Sequence, residues 1–386
     1  MSIVTAKRLE TVEEYYFSKK LREVRELVLA GKPVINMAIG SPDLAPPKSV
    51  LQAITDAVNV DGAHKYQSYQ GLPELRQAVT DFYDEQYMVS LDYNTEVLPL
   101  MGSKEGIMHI SMAYLNEGDQ VLIPNPGYPT YTSVTKLLGA EPVYYNLSDD
   151  NNWEPNLEAL EKTDLSNVKI MWVNYPHMPT GASGSKKMFE QLIAFAKKND
   201  ILLVNDNPYS FVLNPEPMSI LGFEGAKEVA LELNSLSKTF NMAGWRVGMV
   251  LGAKDKIDAV LKVKSNMDSG MFQGLQKGAI AALACGSEWF SAMNSVYSKR
   301  RQLIWKLASL LGCTYDENAT GMFVWSKLPE GITDAEAFID RILYEKSVFL
   351  TPGTIFGSQG SGYIRFSLCI DEESIKEAID RLQGFV

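Results

Sequence analysis

Residues 228–251 read EVALELNSLSKTFNMAGWRVGMVL. Two apolar runs, EVALEL (228–233) and RVGMVL (246–251), bracket a loop of small hydroxyl residues that carries Lys238. Continuous apolar runs of this length, rather than alternating ones, are what strands covered on both faces look like. Five more precede them: VLPL (97–100), QVLI (120–123), EPVYY (141–145), VKIMWV (168–173) and ILLVN (201–205). Helical patterns such as KEGIMHISMAYL (104–115) and SKKMFEQLIAFAKKN (185–199) lie between some of them. Strands alternating with helices predict an α/β fold built on a mostly parallel, seven-stranded sheet.

Downstream the pattern changes. Residues from about 254 to 311 are mainly helical, and the tail holds GMFVW (321–325), the amphipathic ITDAEAFIDRILYEK, YIRFSL (363–368) and a last helix. That mixture predicts a smaller α+β domain completed by the N-terminal segment. The expected division is 45–275 for the large domain, and 1–44 plus 276–386 for the small one. A chain of 386 residues is long enough for two domains.

Net charge of −11 argues against nucleic acid or an anionic membrane as partner. No apolar stretch approaches the length of a membrane span. The opening MSIVTAKRLETVEEYYF has charges where a signal peptide has its apolar core, so the cytoplasm is the expected compartment. Cys285, Cys313 and Cys369 are scattered and read as reduced thiols. His64, His109 and His177 are isolated, and no metal site is expected of them.

A lysine is ordinarily a solvated surface charge. Lys238 instead stands between two apolar strands, with Ser235, Ser237 and Arg246 close in sequence. Hydroxyls and a guanidinium suit an anion. An amine desolvated beside them loses basicity and becomes a nucleophile toward a carbonyl. Asp206 and Tyr209 follow the ILLVN strand, where α/β folds place ligands. Gly102, Ser103 and Lys104 open a helix directly after a strand, and exposed amides at such a start cradle phosphate.

SLSKTFNMAGWRVG resembles the cofactor-lysine signature of the class I/II aminotransferases, the fold type I enzymes that use pyridoxal 5′-phosphate (PLP), and the likeness runs from INMAIGSPDL to YIRFSL. The resemblance implies that Lys238 holds PLP as a Schiff base and serves as the catalytic base. Ser235, Ser237, Arg246 and the amides of Ser103 and Lys104 would hold the phosphate. Asp206 would pair with the pyridine nitrogen, and Tyr209 would donate to the phenolic oxygen. Tyr128, in PNPGYPTY, would stack on the ring. Tyr66, in KYQSYQGLPELR, would reach the phosphate in a partner subunit, which makes a homodimer with shared sites. Arg365, with the backbone of Gly40, would grip the substrate α-carboxylate. The implied reaction moves an amino group between an amino acid and a 2-oxo acid, with 2-oxoglutarate and glutamate as one pair.

The likeness breaks at one place. Where the family shows N-P-T-G, the chain reads NYPHMPTG, so Met178 stands at the asparagine that would bond the phenolic oxygen. Methionine has no donor, and Asn174 or His177 would have to compensate. Lys264, in VKSNMDSGMF, falls where some relatives place a cation for a substrate side chain. Rival readings are a β-lyase or decarboxylase on the same scaffold and a PLP-binding regulator, for which residues 1–40 are too short and too acidic. A dinucleotide-dependent dehydrogenase lacks its GxGxxG after the early strands.

Overall fold

The computed structural model describes residues 3–14 and 16–385. Thirteen strands occur among them: β1 (Ile35–Asn36), β2 (Val97–Leu100), β3 (Gln120–Asn125), β4 (Glu141–Asn146), β5 (Val168–Val173), β6 (Leu202–Asp206), β7 (Ala230–Ser235), β8 (Gly248–Gly252), β9 (Thr314–Tyr315), β10 (Phe323–Lys327), β11 (Val348–Phe349), β12 (Thr351–Pro352) and β13 (Tyr363–Ser367). The seven expected runs form one sheet in the order β2-β8-β7-β6-β5-β3-β4. β8 is antiparallel to both its neighbours, and the other pairings are parallel. Every residue of β6, β7 and β8 is buried, which explains why these runs do not alternate. Pro99 is tolerated in β2 because β2 is an edge strand.

Helices cover both faces, and the two predicted ones span Ser103–Tyr114 and Lys186–Lys198. Ser185 starts the latter by accepting the amide of Met188 at 3.0 Å. The tail forms a four-stranded antiparallel sheet in the order β12-β13-β10-β9. Beside it, β1 pairs in parallel with β11, so the N-terminal segment does join the tail. The helix Gln273–Leu283 crosses the expected boundary at 275 and packs on the helices Lys48–Ala57 and Pro73–Tyr87.

This topology sets up one edge of the large sheet. The carboxyl ends of β2, β3, β5, β6 and β7 lie there and lead to Gly102, Tyr128, Asn174, Tyr209 and Lys238. β8 runs the other way, so its beginning, just after Arg246, arrives at the same edge. Ligand sites in open α/β sheets lie outside such strand ends.

Candidate active site

At this edge opens a cavity of about 360 Å³. Its lining includes Gly40, Ser103, Lys104, Tyr128, Asn174, Met178, Asp206, Tyr209, Ser235, Ser237, Lys238, Arg246 and Arg365. The side chains predicted from six separate stretches of sequence therefore converge. Gly102 sits at the start of the helix, behind Ser103.

Lys238 occupies the short helix Leu236–Thr239 that β7 feeds. Its Nζ donates to the Gly40 carbonyl at 2.5 Å. Burial holds this ammonium below its ordinary pKa; Arg365 and Arg246 push the same way, against Cys369 and Asp206. Asp206, at the end of β6, is 5% exposed. One of its oxygens accepts the Tyr131 hydroxyl at 2.9 Å, and the other, Oδ1, is buried with no hydrogen-bond partner. Burial raises its carboxyl to about 7, although the Tyr131 bond and the charge of Lys238 act to lower it. Tyr131 is itself fixed by stacking on Trp172, with centroids 4.9 Å apart. Burial likewise pushes the Tyr209 phenol up, so it stays a donor.

An anion-binding cradle lies at the helix start. Gly102 has φ +90°, and a Cβ there would lie 2.2 Å from Arg246 Nη2. A Cβ on Gly248 would come within 2.8 Å of the Ser103 amide nitrogen. Only glycine at both places lets the guanidinium and the helix-start amides share one space. Arg246 adopts φ 56° and donates to the Ala243 carbonyl at 2.8 Å. A phosphorylated aromatic cofactor fits this chemistry: donors at one end, an unpartnered buried carboxylate oxygen on the floor, and an amine of lowered basicity between.

Arg365 lies on β13 with its guanidinium 3.9 Å from the ring centroid of Phe323 and 4.7 Å from that of Phe356. It donates to the Ala38 carbonyl at 2.8 Å and to Met178 Sδ at 3.3 Å. Met178 is thus held against Arg365, with sulfur as an acceptor. Asn174 spends its side chain on the backbone: it donates to the Asp206 carbonyl and accepts the Met178 amide. That braces the floor rather than replacing the absent asparagine. His177 does not line the cavity; its Nδ1 pairs with the Thr180 hydroxyl at 2.8 Å, and burial depresses its imidazole to about 3.

Two expected residues stand apart. Tyr66 is 89% exposed and lies outside this chain's own cavity. Lys264 is buried and outside it as well, donating to the Tyr69 carbonyl at 2.9 Å and to Asp268 at 3.0 Å. Its charge is met by an i,i+4 ion pair with Asp268. Glu105, His109 and Asp268 approach one another within 4.8 Å, but the Lys264 ammonium beside Asp268 already supplies the cation.

Sequence reasoning missed several lining residues. Tyr131 carried a signal, since it stands three residues after Tyr128 at the start of one helix. Phe17, Leu21, Ile39, Phe323 and Phe356 come from distant segments and carried none.

Comparison with known proteins agrees with this geometry. The family model described as "Aminotransferase class I and II" matches residues 32–382. LL-diaminopimelate aminotransferase of Dehalococcoides mccartyi (strain CBDB1) is 39% identical over 382 residues, covering 98% of each chain. The enzyme of that name from Halothermothrix orenii is 39% identical with the same coverage. Among solved structures, substrate-bound BacF from Bacillus subtilis superposes with a TM-score of 0.94 at 34% identity, over 100% of this chain and 98% of that one. A single mutant of Thermus thermophilus aspartate aminotransferase gives a TM-score of 0.92 at 25% identity over the whole of both chains. With its sheet, its cradle and its buried lysine in place, the chain belongs to the class I and II aminotransferases, which are PLP-dependent enzymes.

Proposed function

We propose that this aminotransferase works in two half-reactions, taking the amino group from an L-amino acid and giving it to a 2-oxo acid, with 2-oxoglutarate and glutamate as one pair. The observation that carries the reading is the pairing of a buried, unpartnered Asp206 oxygen with the Lys238 amine and Arg365 in one cavity. PLP, when bound, supplies a carbonyl that condenses with amines and a ring that withdraws electrons from the adjoining carbon.

The chain's own residues divide the remaining work. Ser103, Lys104, Ser235, Ser237 and Arg246 hold the phosphate, with charge-assisted bonds from the guanidinium. Asp206 keeps a proton on the ring nitrogen, braced by Tyr131, and Tyr209 donates to the phenolic oxygen. Tyr128 packs on the ring face. Lys238, with its basicity lowered by burial, carries a proton to and from the substrate Cα. Arg365 holds the α-carboxylate, helped by the backbone of Gly40. Tyr66, exposed on one protomer, serves the phosphate of the partner in a cytoplasmic homodimer. Residues 45–275 then bind the cofactor, and 1–44 with 276–386 cover it.

A panel of L-amino acids, LL-diaminopimelate among them because of the relatives' names, is assayed with 2-oxoglutarate. Glutamate formation in step with the donor's oxo acid is the expected result. Ammonia release without glutamate would place the enzyme among the β-lyases instead.

A further inference from the structure

We propose that the donor's side chain is apolar, aromatic or branched aliphatic, and that a donor with an ammonium at its far end is rejected. This rests on the aminotransferase reading and names its substrate class.

The cavity is divided by chemistry. Its polar residues gather toward the cradle and the floor. Against Arg365 stand Phe17, Met178, Phe323 and Phe356, and Leu21 and Ile39 line the same cavity. Three of these rings face the guanidinium directly, with centroids 3.9, 4.7 and 5.8 Å away for Phe323, Phe356 and Phe17. A carboxylate held by Arg365 therefore leaves the rest of the substrate among phenyl and aliphatic groups. Phe323 also fills the space over Gly40, where a Cβ would lie 2.2 Å from the ring, so the aromatic wall is pressed against the reacting end. Phe17 and Leu21 stand one helical turn apart on the helix Tyr16–Leu29 and present one apolar stripe to the mouth.

Charge decides the rest. Among the lining residues four side chains are cationic, Lys104, Lys238, Arg246 and Arg365, and one is acidic, Asp206. Asp206 lies on the floor and is tied to Tyr131. A distal ammonium would find no counter-ion and would lose its water for little return. Glutamate carries no ammonium at its far end, so this restriction does not apply to it. Three acidic residues of the N-terminal segment are already paired: Glu13 with Lys19, Glu14 with Arg22 and Glu23 with Lys20.

The test uses the holoenzyme in two independent arms. In the first, single-turnover conversion of the cofactor's absorbance is followed with phenylalanine, leucine, lysine and LL-diaminopimelate. Phenylalanine or leucine should exceed both diamino acids at least tenfold in kcat/KM. In the second, which needs no turnover, 3-phenylpropionate and 6-aminohexanoate are titrated against the same absorbance. Both offer a carboxylate to Arg365, and only the second carries a far ammonium. 3-Phenylpropionate should bind at least tenfold more tightly, and Phe17→Ala should cut that advantage about threefold or more. Equal or tighter binding of 6-aminohexanoate overturns the inference, as does preference for LL-diaminopimelate, while leaving transamination standing. If no amino acid converts the cofactor, the aminotransfer reading fails, yet the binding arm still decides the character of the wall.

Discussion

Replacing Asp206 by asparagine should change the pH dependence of stability in the cofactor-free protein, and in a direction opposite to that of an ordinary surface carboxylate. In the folded chain burial lifts this carboxyl from 3.8 to about 7. A raised pKa contributes stability that is present in full below the unfolded value and lost as pH climbs through the folded one. The window is thus roughly pH 4 to 7, and across it the wild type should lose about 4 kcal/mol that the Asp206→Asn protein keeps. About 2.5 kcal/mol of this falls between pH 5 and pH 8. Asparagine retains an oxygen for the Tyr131 hydroxyl, so the comparison isolates the charge. For a chain of 386 residues that difference moves Tm by about 3 °C. Thermal melts of both cofactor-stripped proteins at pH 5 and pH 8 supply the measurement. The wild type should fall by about 3 °C more than the variant on going to pH 8. Adding cofactor should remove the wild type's handicap, because the ring nitrogen gives the carboxylate a partner. Parallel pH profiles for the two apoproteins, within about 1 °C, would refute the assignment of a costly buried charge to Asp206.

Three further substitutions probe the amine, the cradle and the hydrogen bonding of the phenolic oxygen. Lys238→Ala should yield protein in which borohydride traps no covalent cofactor adduct, read by intact mass; an adduct still present on the variant would remove Lys238 from its place. Gly102→Ala puts a Cβ 2.2 Å from Arg246 Nη2 at φ +90° and should weaken PLP at least about tenfold while leaving unphosphorylated pyridoxal unaffected. Equal losses for both ligands would show that the cradle is not what binds the phosphate. Met178→Asn supplies a donor beside Arg365, and the pKa of the holoenzyme's visible band should drop by about one to two units. An unchanged titration would mean that Tyr209 alone saturates the phenolic oxygen.

Most of the fold was readable because burial on both faces leaves an unambiguous trace. β5 to β8 are mostly apolar and almost entirely buried, so their existence follows from composition. What composition does not carry is direction. β8 lies antiparallel to β7, and that reversal is what returns Arg246 to the edge reached by Lys238. The site residues followed the same division. Asp206, Lys238 and Ser103, which line the cavity, could be singled out because each stands at the end of a legible strand. Phe17, Leu21, Ile39 and Phe356 could not, since apolar residues that line a cavity look identical to those that fill a core. Sequence could not say what Lys264 meets; in the fold Asp268, four residues on, pairs with it. Met178 shows the limit most plainly. From sequence it is a missing donor, a loss that invites a substitute in Asn174 or His177. In the fold both of those are committed elsewhere, and the methionine has acquired a contact of its own with Arg365. A thioether is a weaker acceptor than an amide oxygen, so it orients the guanidinium while drawing off little of its charge. Under the proposed carboxylate-binding role of Arg365, methionine should strengthen that grip relative to asparagine, and it extends the apolar wall by one more side chain.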